Sequence, residues 1–172
     1  MRTLLVLLLS LSAAIAQQPT DLSKHVFFKH LVGTWTAEGE LKGEDGKLIP
    51  ITEDWKGKAG GDSTFLLEGT RTINSETKPF KWTFTHNPST DSFDAVLTGA
   101  EGDQPIRFEA MISDVNLTIE LKAITGTNSA ITVKEEFTDE KHEAIKSQVT
   151  FTGDSGQVTL EGTITHKKQK EP

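Results

Sequence analysis

The sequence predicts an all-β protein, an antiparallel up-and-down barrel of about ten strands with a short N-terminal helix. Three observations predict it. From Trp35 onward, apolar and polar residues alternate through stretch after stretch, the period of a half-buried strand. The stretches are joined by short polar turns rich in Gly, Asn and Asp, so neighbours in sequence can pair as hairpins. Ahead of them, Leu22, Val26 and Leu31, with Phe27 beside them, repeat at helical spacing.

The helix is expected over residues 22–31. Thr20-Asp21 caps it, because an Asp carboxylate accepts from the orphan first-turn amides, and Gly33 stops it. So short a helix must dock to persist, and one end of a barrel suits it. His25 and His30, on this segment, are expected at a solvent-facing rim.

Trp35, Ala37, Gly39 and Leu41 then share an inward face, and Gly43-Glu44-Asp45-Gly46 turns the chain. Ile49, Ile51, Glu53 and Trp55 share the next, with Pro50 expected at an edge or bulge and a turn over 57–62. Phe65, Leu67, Gly69, Arg71 and Ile73 follow, then a turn over 74–78, then Phe80, Trp82, Phe84 and His86. Asn87-Pro88-Ser89-Thr90-Asp91 is strong turn chemistry.

Over 92–98 the inward side is open, since Phe93-Ala95-Leu97 and Asp94-Val96-Thr98 compete. Ile106, Phe108, Ala110 and Ile112 face inward next, followed by Leu117, Ile119 and Leu121, and then by Ile131, Val133, Glu135 and Phe137. Ile145, Ser147, Val149 and Phe151 form the ninth set; Val158, Leu160, Gly162 and Ile164 form the tenth, ending near His166. Closing such a meander removes both sheet edges and sends every second side chain inward. An Ig-like sandwich would need Greek-key crossovers, and no connection is long enough to favour them.

Residues 1–16 have the three-part layout of a secretory signal peptide: Arg2, an apolar run through Leu11, and small residues ending in Ala14-x-Ala16. The run is too short to span a bilayer. Cleavage after Ala16 leaves one domain, 17–172, expected to be secreted or periplasmic without a stable membrane anchor. The chain has no Cys, which excludes disulfides, thiolate metal sites and a thiol nucleophile. The net charge is −7 and the basic residues are scattered apart from Lys167-Lys168-Gln169-Lys170, which argues against nucleic acid as a partner.

Alternation places Glu53, Arg71, His86, Glu135, Ser147 and His166 on inward faces. A buried charge needs a partner, so Arg71 is expected to pair with Glu53 or Glu135. These groups serve structure alone, or they orient the head group of a bound apolar molecule. Trp55, Phe80, Trp82 and Phe84 are core in the first case and cavity wall in the second. The candidate ligand-binding set is Glu53, Trp55, Arg71, Trp82, Phe84, His86 and Glu135. The sequence holds no Gly-x-Ser-x-Gly elbow, phosphate loop or His-Glu-x-x-His, and Gly153-Asp154-Ser155-Gly156 lies where a hairpin turn belongs. No catalytic or metal-binding residue is assigned, and a binding protein is expected rather than an enzyme. Asn116-Leu117-Thr118 is a glycosylation sequon whose expected placement in a strand makes it a poor acceptor.

Leu31-Val32-Gly33-Thr34-Trp35, after a short helix and at the head of the first strand, resembles the Gly-x-Trp opening of the calycin superfamily, which includes lipocalins, fatty-acid-binding proteins and nitrobindin-like proteins. The likeness covers roughly residues 22–168. It looks closest to a family of small exported bacterial proteins of unassigned activity, lipocalin-like in outline, with a Leu-Val-Gly-x-Trp start. The resemblance implies that Gly33 and Trp35 close one end of the barrel. Lipocalins stack an Arg from the last strand on that Trp. The arginines here are Arg2, Arg71 and Arg107, which leaves Lys167 or Lys168 as a poorer, non-planar substitute. The nitrobindin-like branch binds haem through a His near the chain's end, where this sequence has His166. Three functions follow as expectations: an exported carrier of a small apolar molecule, a haem-binding protein, or an interaction domain with a packed interior.

Overall fold

The computed structural model describes residues 21–61, 63–87, 90 and 92–170; the signal-peptide expectation, over 1–16, lies outside them. The strands are β1 (Gly33–Gly43), β2 (Leu48–Gly61), β3 (Thr64–Ile73), β4 (Glu76–Asn87), β5 (Ser92–Thr98), β6 (Ile106–Ser113), β7 (Thr118–Ile124), β8 (Ala130–Phe137), β9 (Ala144–Thr152) and β10 (Val158–Lys168). Each pairs with the next in sequence, and β10 closes on β1. All pairings are antiparallel, so this is the up-and-down barrel the alternation predicts.

The inward sets are those of the alternating pattern except at Val158, which is exposed because the β9–β10 register shifts between it and Leu160. The inward side of β5 is now decided: Phe93 and Ala95 are buried and Asp94 is exposed. Two turns differ from expectation. Asn74 and Ser75 alone connect β3 to β4, with φ of 50° and 68°, the left-handed pair that matches the twist of a two-residue hairpin. The β2 strand runs through the expected 57–62 turn as far as Gly61. Pairing of Gly57 with Gly33 on β1 and Leu67 on β3 carries the strand on, and the position is glycine because the Leu31 carbonyl occupies the space a Cβ would need. Pro50 sits one residue outside the β2–β3 ladder, which begins at Ile51–Ile73. Asn116 is exposed between β6 and β7, beside Leu117 at φ 49°, so the sequon lies in a turn and not in a strand.

One end of the barrel is plugged. Asp21 accepts from the Ser23 amide at 3.0 Å and caps a 3₁₀ turn, Leu22–Lys24; a short helix, α1 (Phe28–Leu31), follows. The continuous helix expected over 22–31 is broken at His25, which is extended (φ −60°, ψ 142°). Its Nδ1 accepts from the Phe27 amide at 3.2 Å, and this local side-chain bond competes with the helical ladder. His25 is also not a rim residue: it is 8% exposed, with its ring against Phe28 and Phe93. Leu22, Phe27, Phe28, Leu31 and Phe65 are fully buried around it. Each such side chain is worth roughly 1.5–3 kcal/mol of burial, which holds a helix too short to stand alone.

Gly33 (φ 116°) takes a backbone conformation only glycine adopts readily and turns the chain from α1 into β1. Trp35, fully buried, donates from Nε1 to the Leu31 carbonyl at 3.1 Å and stacks on Trp55 at 5.2 Å and 9°. Lys168 Nζ lies 5.5 Å from the centre of the Trp35 ring and donates to the His30 carbonyl at 3.0 Å. The last strand therefore supplies the cation over the Trp as Lys168, and the same ammonium satisfies a carbonyl of α1.

Candidate functional site

Below the Trp35–Trp55 stack the barrel is hollow. A cavity of about 170 Å³ is open toward the end opposite the plug. Its lining has two halves. On β4, β5 and β6 stand Phe80, Trp82, Leu97, Ile106 and Phe108, with Trp82 and Phe108 at 4.9 Å. The other half is a polar arc, set into an apolar wall, that crosses six consecutive strands, β3-β2-β1-β10-β9-β8.

Register explains the arc. Glu53 on β2 lies opposite Arg71 on β3, and Ser147 on β9 lies opposite Glu135 on β8. Ala37 on β1 lies opposite both Glu53 and His166. His166 lies opposite Ile145 on β9, which leaves Ser147 as its diagonal neighbour two residues along. The five polar residues thus form one continuous band with a two-residue step between β10 and β9, and the methyl of Ala37 leaves room between Glu53 and His166. Arg71 Nε donates to Glu53 Oε1 at 2.6 Å, and the guanidinium sits 4.8 Å over the Phe80 ring. Glu53 is 5% exposed, so this pair answers the need of a buried carboxylate for a cation.

The remaining members form a chain of hydrogen bonds with one direction. Trp55 Nε1 donates to His166 Nδ1 at 3.1 Å, and an indole can only donate. A neutral His166 therefore carries its proton on Nε2 and donates to Ser147 Oγ at 2.8 Å. The Ser147 hydroxyl is then free to donate to Glu135 Oε1 at 2.9 Å. Glu135 Oε2 makes no hydrogen bond among the described residues. No buried side-chain oxygen there lacks a partner, so Oε2 faces the cavity. Burial pushes the Glu135 carboxyl above the ordinary carboxylate range; the nearby Glu53 charge adds to this, while His166, the Ser147 bond and Arg71 oppose it. As a residue Glu135 is only half-buried, because its accessible part is what lines the cavity.

Of the expected site residues, Glu53, Trp55, Arg71, Trp82 and Glu135 come together around the cavity. Phe84 and His86 do not line it: Phe84 packs on Phe28 in the plug, and His86 packs on Phe93 beside it. Leu67, Phe108, Ile131 and Val133 line the cavity although none was in the expected set. All four lie on the inward faces read from alternation, so the pattern contained them. Which inward residues border the hollow rather than the plug depends on where the plug ends.

Haem fits this site poorly. Both nitrogens of His166 are engaged, one by Trp55 and one by Ser147. The cavity of about 170 Å³ is also below the roughly 300–1,000 Å³ of ordinary small-molecule pockets. Among the described residues no cluster of three or more His, Asp or Glu could hold a metal ion, and no helix is long and apolar enough to cross a membrane.

No family model and no curated protein matches the sequence. Solved structures do resemble it. The S-type phycobiliprotein lyase CPES from Guillardia theta superposes with a TM-score of 0.62 at 13% identity, over 85% of this chain and 92% of that one. Rv2717c from M. tuberculosis superposes with a TM-score of 0.58 at 10% identity, over 82% of this chain and 94% of that one. At such identities the likeness is one of fold alone, and with the closed ten-stranded topology it fits a calycin/lipocalin-like barrel fold.

Proposed function

We propose that this protein is an exported binding protein that holds a small hydrophobic molecule inside the barrel. The observation that carries the reading is the cavity: one end plugged, the other open, an aromatic wall facing a few placed polar groups. That is the chemistry of a ligand pocket, mostly apolar with a small number of groups that fix orientation. Export is the part that rests on residues 1–16, and the Leu31-Val32-Gly33-Thr34-Trp35 opening is in keeping with the exported bacterial family it resembles. The fold neighbours lend the architecture alone. A packed interaction domain is disfavoured, since such an interior leaves no hollow with an unbonded carboxyl oxygen facing it.

Native mass spectrometry of the protein recovered from its own compartment tests the reading. The expected result is a bound species of low mass that is released on unfolding. Repeated recovery of ligand-free protein, with no uptake of a neutral apolar dye, would contradict it.

A further inference from the structure

We propose that the cavity selects an uncharged amphiphile whose head is a hydrogen-bond acceptor (a ketone, aldehyde or ester carbonyl) received by Glu135 Oε2, and that it discriminates against carboxylate and ammonium heads on the same tail. The proposal rests on the reading of the barrel as a small-molecule carrier and names what that carrier takes.

The direction of the hydrogen bonds decides the head group. The Trp55 indole fixes the His166 proton on Nε2, which makes Ser147 Oγ an acceptor toward the histidine and a donor toward Glu135 Oε1. Glu135 Oε1 is therefore committed as an acceptor. In the neutral carboxyl the proton then resides on Oε2, the oxygen that faces the hollow, and the site offers one O–H donor. Burial favours that neutral form.

Charge excludes the other heads. Four titratable groups face the position: Glu53 from β2, Arg71 from β3, Glu135 from β8 and His166 from β10. Arg71 donates from Nε to Glu53 at 2.6 Å, which balances its charge. With Glu135 neutral, and with His166 neutral while Nδ1 accepts from Trp55, the arc carries no net charge. A carboxylate would meet only a guanidinium already shared with Glu53 and would enter as an excess negative charge, and an uncompensated buried charge is costly. An ammonium would require Glu135 to ionise, which its burial opposes. A carbonyl needs neither.

The test is isothermal titration calorimetry of the full chain at pH 6 with 2-octanone, octanoate and octylamine, repeated at pH 9. The expected result is 2-octanone binding about tenfold or more tighter than either charged analogue, the size of one buried hydrogen bond gained against one charge left unmatched. Its affinity declines as rising pH ionises Glu135. Glu135→Leu lowers 2-octanone affinity about tenfold. Glu135→Gln, whose amide presents the same acceptor and donor, restores it and removes the pH dependence. Circular dichroism checks that both variants fold, and the head-group series on the unaltered protein needs neither of them. Octanoate or octylamine binding as tightly as 2-octanone overturns this proposal and leaves the carrier reading standing. No binding of any of the three, nor of the small neutral fluorophore 2-methoxynaphthalene, overturns both.

Discussion

Trp55 and His166, 111 residues apart in sequence, are joined by a buried hydrogen bond of 3.1 Å from the indole Nε1 to Nδ1. The bond links β2 to β10 across β1 and sets the proton on every group beyond it. It also ties the cavity to the plug, because the same indole stacks on Trp35, which donates to the last carbonyl of α1.

Trp55→Phe keeps an aromatic ring for the Trp35 stack and removes the donor. It leaves His166 Nδ1 without a partner in a residue that is 5% exposed. The expected cost is about 1–3 kcal/mol of folding stability, the penalty for stranding a buried polar atom. Urea unfolding monitored by circular dichroism measures it. A change within a few tenths of a kcal/mol would mean the indole bond does not organise the arc.

Arg71→Met should cost more than the pair itself contributes. It leaves Glu53 buried and unpaired, worth about 3 kcal/mol, at the low side of the range for buried pairs because Arg71 keeps 27% of its side chain exposed. The double variant Glu53→Leu/Arg71→Met should recover most of that loss. Urea midpoints of the two single variants and the double form the cycle.

Acid should loosen the plug. Burial depresses the His25 pKa below its usual value near 6.5, with Asp114 opposing and His86 reinforcing the shift. The unfolded chain therefore takes up the proton first. Stability from this residue is fully present above about pH 6.5 and declines as pH falls below it, by at most about 1.4 kcal/mol per pH unit. Protonation also places a hydrogen on Nδ1, the atom that accepts from the Phe27 amide. His30, whose pKa is depressed chiefly by burial, adds a slope of the same sign. Urea unfolding at pH 7.5 and 5.5 should show the decline. In His25→Asn, whose side chain still accepts a hydrogen bond but does not titrate, the slope should be shallower.

Gly57→Ala should separate the plug from the wall. The added methyl meets the Leu31 carbonyl, which is backbone and cannot swing aside. A cost of about 1–3 kcal/mol is expected, the range for an overpacked site. Hydrogen exchange should show faster opening of Phe28–Leu31 than of the distal strands.

The barrel was legible because its strands alternate strictly: Phe80, Trp82, Phe84 and His86 can share a face in one register only. The β5 segment was not, since apolar residues fall on both of its sides, and pairing with β4 and β6 decided it. The inward polar residues were legible one by one, and Arg71–Glu53 was among the expected pairs. The order of the arc was not. It depends on Ala37 placing Glu53 and His166 on its two flanks, a consequence of closing β10 on β1 that no local pattern carries. The break in the helix escaped for a similar reason. His25 fits a helical stripe by spacing, and only its packing against Phe93 shows that its ring points into the plug.

The central claim is that the hollow of the barrel is where a small apolar molecule binds. Val133, on β8, is buried and lines that hollow two residues before Glu135 on the same inward face, so Val133→Trp fills the hollow without removing any of the polar groups. Fluorescence titration with 2-methoxynaphthalene, a neutral fluorophore small enough for a hollow of about 170 Å³, measures the effect directly. The account predicts one saturable site in the unaltered protein and at least about tenfold weaker binding in a folded Val133→Trp. Equal binding by both proteins would place the fluorophore outside the barrel and contradict the claim.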